Sequence, residues 1–95
     1  MDIEISDIVV SLAGRDKGKY FFVVGTDGDY AFIADGKGRC IGSPKRKKRK
    51  HLRRVAESDS RVAYKLMAGD RVLDSEIRRA LAAYAAQADA NQLRR

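Results

Sequence analysis

Residues 43–55 read SPKRKKRKHLRRV, a stretch in which eight of ten consecutive residues are lysine or arginine. Like charges at this density repel one another, so we expect that no hydrophobic core contains the segment. Pro44 cannot continue a central strand or a helix interior. The basic run is therefore predicted to be an extended surface segment that is held at its C-terminal end, near Leu52 and Val55, with its cationic side chains pointing outward.

The rest of the 95-residue chain is close to neutral. Residues 1–44 carry five basic and seven acidic residues, and residues 55–95 carry seven basic and six acidic residues, so the net charge of +7 comes from the basic run. Apolar residues make up 44% of the chain, which is typical of a globular domain. The length allows one small domain with an appendage, and we expect no large internal cavity and no small-molecule substrate.

Excess positive charge in one segment predicts a polyanionic partner. Nucleic acid is favoured over a membrane surface, because no amphipathic helix or lipidation signal accompanies the run. Each phosphate that a lysine or arginine neutralises releases counterions, which favours binding at low salt. The string PKRKKRK also matches a nuclear-localisation signal, but many RNA-binding segments share that pattern. A solvated run without a partner is disfavoured, because eight like charges in ten residues repel one another.

The residues that could act as nucleophile, general base or metal ligand argue against an enzyme. Cys40 is the only cysteine, which excludes an intramolecular disulfide and fits a reducing cytoplasm, and with the single His51 it cannot build a tetrahedral zinc site. We predict no catalytic residue, no metal and no cofactor. His51 is expected either to stack on a base or to be structural, and Cys40 to be a small buried residue in a strand. The apolar run within the first ten residues is too short for a signal peptide or a membrane helix, so a cytoplasmic protein is predicted.

The first half of the chain has the pattern of strands and turns. DIVVSLAG, KYFFVVG and YAFIAD are rich in β-branched and aromatic residues, the turn GTDG separates the last two, and GKGRCIG is predicted as a fourth strand. In YFFVV both alternating faces are apolar, so we expect these strands to be covered on both sides. One face would fill a small barrel and the other would need a lid.

The C-terminal third is predicted to supply that lid as two helices. In the first, Asp59 or Ser60 is the expected cap, Gly69 ends the helix, and the apolar residues are Val62, Ala63, Leu66 and Met67. In the second, Asp74 or Ser75 is the expected cap, and the apolar stripe is Ile77, Leu81, Tyr84, Ala85 and Ala88. We therefore divide the chain into a barrel at 1–56, which includes the basic segment 44–54, and a helical appendage at 57–95.

Two glycine-rich turns add candidate phosphate contacts. AGRDKGK carries Arg15, Lys17 and Lys19, and DGKGR carries Lys37 and Arg39. Turns at one end of a small barrel often cluster, so these two turns are expected to share a surface. The aromatic residues are expected to be core rather than stacking platforms for RNA, with Tyr20 as the best exception; they are Tyr20, Phe21, Phe22, Tyr30 and Phe32.

The segment DIVVSLAGRDKGKYFFVVGTDGDYAFIADGKGR resembles a KOW motif, in which two apolar strands flank a loop with a key glycine, here Gly18. Followed by PKRKKRKHL and DSEIRRALAAY, it resembles the bacterial KOW-domain RNA-binding proteins, which are related to KOW-containing proteins of the archaeal and eukaryotic large ribosomal subunit. The resemblance runs from Ile8 to Tyr84. The KOW segment alone is a weak motif, whereas these pieces in this order are much more specific.

The resemblance implies a mainly β fold with C-terminal α structure, in which an SH3-like KOW barrel packs against one or two helices and binds RNA. Ribosomal RNA is the expected partner, and the ribosome or its proteins are further candidates. The predicted RNA-binding residues are Arg15, Lys17, Lys19, Lys37, Arg39, Lys45, Arg46, Lys47, Lys48, Arg49, Lys50, His51, Arg53 and Arg54. KOW domains of transcription elongation factors touch proteins, which leaves open an adaptor whose barrel holds a protein partner while the basic run holds nucleic acid nonspecifically.

Overall fold

The computed structural model describes residues 3–57 and 60–93, which form five strands followed by two helices. In chain order the elements are β1 (Asp7–Ser11), β2 (Tyr20–Asp27), β3 (Tyr30–Ala34), β4 (Lys45–Lys48), a 3₁₀ turn (Arg49–His51), β5 (Leu52–Glu57), α1 (Ser60–Met67) and α2 (Asp74–Leu93). The predicted mainly β fold with C-terminal helices is confirmed. The predicted fourth strand is wrong, because residues 35–44 form turns and the fourth strand is the first half of the basic run.

The strands form one antiparallel sheet in the order β4-β3-β2-β1-β5. Register shifts in β2 near Val24 and in β5 near Val55 are bulges, which bend a sheet and increase its twist. The basic run thus supplies both edge strands, and the 3₁₀ turn joins them. The N–H of Arg49 donates to the Asp29 carbonyl at the β2–β3 turn, and the N–H of Leu12 donates to the His51 carbonyl. Three residues can connect the two edges only if the sheet is strongly curved.

Alternation along the strands produces two hydrophobic clusters, one on each face of the sheet. The inner cluster consists of Ile3, Val9, Phe21, Val23, Ala31, Ile33 and Leu52. The outer cluster joins Ile8 and Phe22 of the sheet to Val62, Val72 and Ile77 of the C-terminal segment. The prediction that the strands are covered on both faces, with the helices as the lid, is confirmed.

The two helices agree with the prediction apart from one residue of an apolar stripe and one helix cap. Met67 is 75% exposed, because it lies on the solvent side of α1 with Tyr64. The predicted cap of α2 is wrong, because Asp74 and Ser75 both lie inside the helix. Leu73 precedes the first turn, and its N–H donates to the Glu76 carboxylate, as in a capping box. Gly69, at φ +74°, ends α1 as predicted. Asp59, a predicted cap of α1, lies outside the described residues, as does the Ser60 side chain.

Within residues 3–57 and 60–93, neither helix combines the length and the apolar composition that a bilayer-spanning segment needs.

Candidate nucleic-acid interface

The side chains of β4 alternate between the two faces of the sheet. Lys47 pairs with Ala31, a member of the inner cluster, and Arg46 pairs with the half-buried Phe32. Because cross-strand partners share a face, Lys45 and Lys47 point inward while Arg46 and Lys48 point outward. The expectation that every cation of the run points outward is therefore wrong for two of the four residues of β4.

Lys47 is a buried structural residue. Its ammonium donates to the Ser11 hydroxyl at 2.5 Å and to the Ala13 carbonyl at 2.8 Å, and the residue is only 9% exposed. The Ser11 hydroxyl donates in turn to the Ala13 carbonyl at 3.0 Å. Burial lowers the pKa of Lys47, although the hydrogen bonds satisfy the ammonium. Lys47, predicted as a phosphate contact, instead closes the inner cluster at the end of β1.

Lys45 ties the first glycine-rich turn to the sheet. Its Nζ lies 2.6 Å from the Asp16 carboxylate, and both side chains are at least two-thirds buried. The hydrogen bond from Lys45 lowers the pKa of Asp16, with further contributions from the charges of Lys45, Lys47 and Lys19. The loop between β1 and β2 is therefore held against the start of the basic run.

We expect Asp16→Asn to lower the free energy of unfolding at pH 7 by about 1 kcal/mol, because asparagine keeps the shape but removes the charge of the ion pair. Since the pKa of Asp16 is below its ordinary 3.8 in the folded protein, the pair stabilises the fold above pH 3.8. That contribution disappears as the pH falls through the lowered pKa. Urea denaturation of both proteins between pH 2 and pH 7, in steps of about one unit, should show the curves converging in acid. A constant difference across this range would contradict the assignment.

Two arginines of the run also have internal partners. Arg49 donates from Nε to the Gly28 carbonyl at 2.7 Å and from Nη1 to the Ile3 carbonyl. Arg54 Nη2 donates to Glu57 at 2.7 Å, and its Nε lies 3.2 Å from the buried Asp7 carboxylate without hydrogen-bond alignment. These side chains fix the 3₁₀ turn and the β1–β5 pair.

The remaining cations of the run are exposed and form what we call the exposed cation set: Arg46, Lys48, Lys50 and Arg53. Arg46 lies with its guanidinium carbon 3.5 Å from the centre of the Tyr30 ring. The other three side chains have no hydrogen bond or ion pair with the part of the chain that the structure describes. Their positive charge is therefore free to meet an external anion. His51 is half-buried beside them, and its backbone carbonyl accepts a hydrogen bond from the N–H of Leu12.

The two glycine-rich turns lie at the same end of the sheet, because β1 and β3 both end there and β2 and β4 both begin there. Gly14 and Gly18 of the first turn have φ of +80° and +88°. In the second turn the Asp35 carboxylate accepts the N–H groups of Lys37 and Arg39, each at 2.9 Å. All five predicted cationic residues of these turns are exposed: Arg15, Lys17, Lys19, Lys37 and Arg39.

The second turn also docks on α2. Arg78 donates from Nη1 to the Gly36 carbonyl at 2.5 Å, and the N–H of Ile41 donates to the Asp74 carboxylate at 2.7 Å. Cys40 lies half-buried in this turn and not in a strand, and desolvation together with Asp74 raises the pKa of its thiol. A raised pKa keeps the thiol protonated and disfavours it as a nucleophile.

Tyr20 lies outside the core, as its place as the exception predicts, whereas Tyr30 differs from its predicted core role. Tyr20 is 39% exposed, but its ring meets Tyr84 of α2 edge to face, with centroids 5.3 Å apart. Tyr30, predicted as core, contacts Arg46 and lines a surface hollow with Asp29, Lys48, Arg49 and Lys50. The sequence signal for Tyr30 was its place beside the turn residues Gly28 and Asp29. Finding its partner required the pairing of β3 with β4.

No protein-family model matches this chain, and no curated protein shows significant similarity to it.

Proposed function

We propose that this protein binds structured RNA by contacting the phosphate groups of the RNA, and that it is associated with the ribosome. One observation carries the proposal: the cations of the basic run are divided between internal and external roles. Lys45, Lys47, Arg49 and Arg54 hold the fold together, whereas the exposed cation set has no ionic partner among the described residues. Exposed like charges that the fold itself does not neutralise are the electrostatic footprint of a nucleic-acid site.

The rigidity of the run also supports this proposal. Its residues belong to two paired strands and a 3₁₀ turn, so the exposed side chains project from a fixed backbone. A fixed array of cations can match the spacing of phosphates in a folded RNA, and contacts of this kind position a protein without reading sequence. Selectivity would then come from RNA shape.

We further propose that the curved sheet is an SH3-like barrel of the KOW type. Support comes from the 3₁₀ turn that joins the two edge strands, and from Gly18, which adopts φ +88° in the loop where a KOW motif has its key glycine. Ribosomal RNA is the proposed partner on the strength of the same resemblance, and the cytoplasm the proposed location.

An adaptor is the second candidate function, and α1 carries the observation that favours it. Tyr64 and Met67 are 73% and 75% exposed, and residues three apart on a helix share a face. Large apolar side chains that neighbour one another on a surface are typical of protein contacts. In this alternative the domain holds a protein partner, and the basic run holds nucleic acid nonspecifically.

Crosslinking the protein to RNA in living cells and sequencing the bound RNA tests the proposal. We expect reads concentrated at one site in ribosomal RNA, because a rigid cation array fits one RNA shape better than others. Reads scattered in proportion to transcript abundance would contradict ribosome association. They would indicate a nonspecific phosphate contact and favour the adaptor.

A further inference from the structure

A hollow of about 390 Å³ lies between the β2–β3 turn and the 3₁₀ turn, and its lining unites three kinds of chemistry. Lys48 and Lys50 supply ammonium groups, Tyr30 supplies an aromatic ring and Asp29 supplies a carboxylate. The volume falls within the range of small-ligand pockets, roughly 300–1,000 Å³. It is therefore large enough for one nucleotide and too small for a helix or a strand.

The walls of this hollow are fixed by hydrogen bonds. The backbone N–H of Arg49 donates to the Asp29 carbonyl at 2.8 Å, and the Arg49 side chain donates to the Gly28 carbonyl at 2.7 Å. Tyr30 and Lys48 are direct partners in the β3–β4 pair. The hollow is therefore already formed in the folded protein, and no loop has to close to form it.

Tyr30 is held in position by Arg46. The guanidinium carbon lies 3.5 Å from the ring centre, and Arg46 is not part of the lining of the hollow. One face of the ring is therefore covered by the cation, and Tyr30 is also a lining residue of the hollow. A cation–π contact restricts the ring without occupying the hollow.

We propose that this hollow binds one unpaired nucleotide of the RNA, an inference that rests on the proposed RNA-binding function. The base stacks against Tyr30, and the adjoining phosphate contacts Lys48 and Lys50. The Asp29 carboxylate repels phosphate and accepts hydrogen bonds from base N–H groups, which directs the base, and not the backbone, to its side of the hollow. The site thus recognises a looped-out or loop nucleotide within a structured RNA.

Binding measurements with two RNA probes test the proposal: a hairpin with an unpaired loop and a blunt duplex with the same stem, at about 0.15 M salt. We expect the protein to bind the hairpin about tenfold more tightly, as a single stacked base would give. Tyr30→Leu should remove that preference and leave duplex binding and its salt dependence unchanged. Tyr30→Phe, which keeps the ring, should retain it.

The outcomes separate this inference from the function on which it rests. If the unaltered protein binds neither RNA, the proposed function fails and the hollow loses its role. If it binds both RNAs and Tyr30→Leu keeps the hairpin preference, RNA binding stands and the nucleotide site is wrong. If Tyr30→Leu weakens duplex binding equally, Tyr30 acts by positioning Arg46, and the stacking role is again wrong.

A second measurement uses the unaltered chain and so does not depend on the folding of a variant. The hairpin is crosslinked to the protein by ultraviolet light, and the crosslinked residue is identified by mass spectrometry. A crosslink at Tyr30 is expected. Crosslinks confined to other residues, such as Tyr20 or Tyr64, would contradict the proposal.

Discussion

Replacing the exposed cation set with glutamine should weaken RNA binding about 100- to 1,000-fold, because each lost phosphate contact costs about 1 kcal/mol. The variant is R46Q/K48Q/K50Q/R53Q, and its four side chains are exposed in the folded protein. The slope of log affinity against log salt should also fall by about three, since each phosphate contact contributes 0.7 to 0.9. Filter binding to a ribosomal RNA fragment across a salt series measures both effects.

A matched pair of double variants separates the role of this surface from the role of net charge. K48Q/K50Q and R71Q/R79Q each remove two exposed positive charges, but Arg71 and Arg79 lie outside the basic run. Only the first pair should lower affinity more than a few-fold. Equal losses from both pairs would mean that the protein attracts RNA by total charge alone. The two double variants should have matching unfolding midpoints, because the cations that they remove leave the internal ion pairs of Lys45 and Arg54 intact.

Gly36→Ala should lower the free energy of unfolding by about 3–5 kcal/mol, a large part of the stability of a small domain. Gly36 has φ +77°, which strains any residue with a Cβ atom. A Cβ there would also lie 2.5 Å from the Asp74 carbonyl oxygen and 2.7 Å from Arg78 Cγ. The substitution therefore forces the second turn away from α2. Urea denaturation followed by circular dichroism measures the loss.

Two other glycines act as controls that separate backbone strain at positive φ from the steric clash of an added Cβ atom. Gly28 has φ +58° with nothing within 4 Å of its added Cβ, so Gly28→Ala should show the backbone strain alone, about 1 kcal/mol. Gly38 has neither a positive φ nor a close neighbour, and Gly38→Ala should be almost neutral. If Gly36→Ala costs no more than Gly28→Ala, the turn does not pack tightly on α2.

Much of the fold could be predicted because its signals are local. The two apolar faces of YFFVV follow from the two-residue period of a strand, and they produce the inner and outer clusters at Phe21 and Phe22. The stripe that begins at Ile77 follows from the helical period in the same way. The strand assigned to GKGRCIG failed because Asp35 accepts two backbone N–H groups and curls the segment into a turn.

The sequence was sufficient to predict where the candidate site lies in the chain, but not which of its cations are exposed. The density of lysine and arginine in 45–54 predicts a position at the surface from charge repulsion alone, and an anionic partner is the proposal that this density suggests. Nothing in the run itself distinguishes Lys47 from Lys48, since both are lysines in one continuous string. Their roles differ because the pleat of β4 sends neighbouring side chains to opposite faces.

The sequence by itself therefore determined the strands with two apolar faces, the helical lid and the place of the excess charge, because each depends on residues close together in the chain. Only the tertiary structure decided which cations are internal and which are exposed. Lys45 meets Asp16 across 29 positions, and Lys47 meets Ser11 across 36. Such partners come together through strand pairing, and once paired they neutralise or bury the inward-pointing charges and leave the outward-pointing ones exposed.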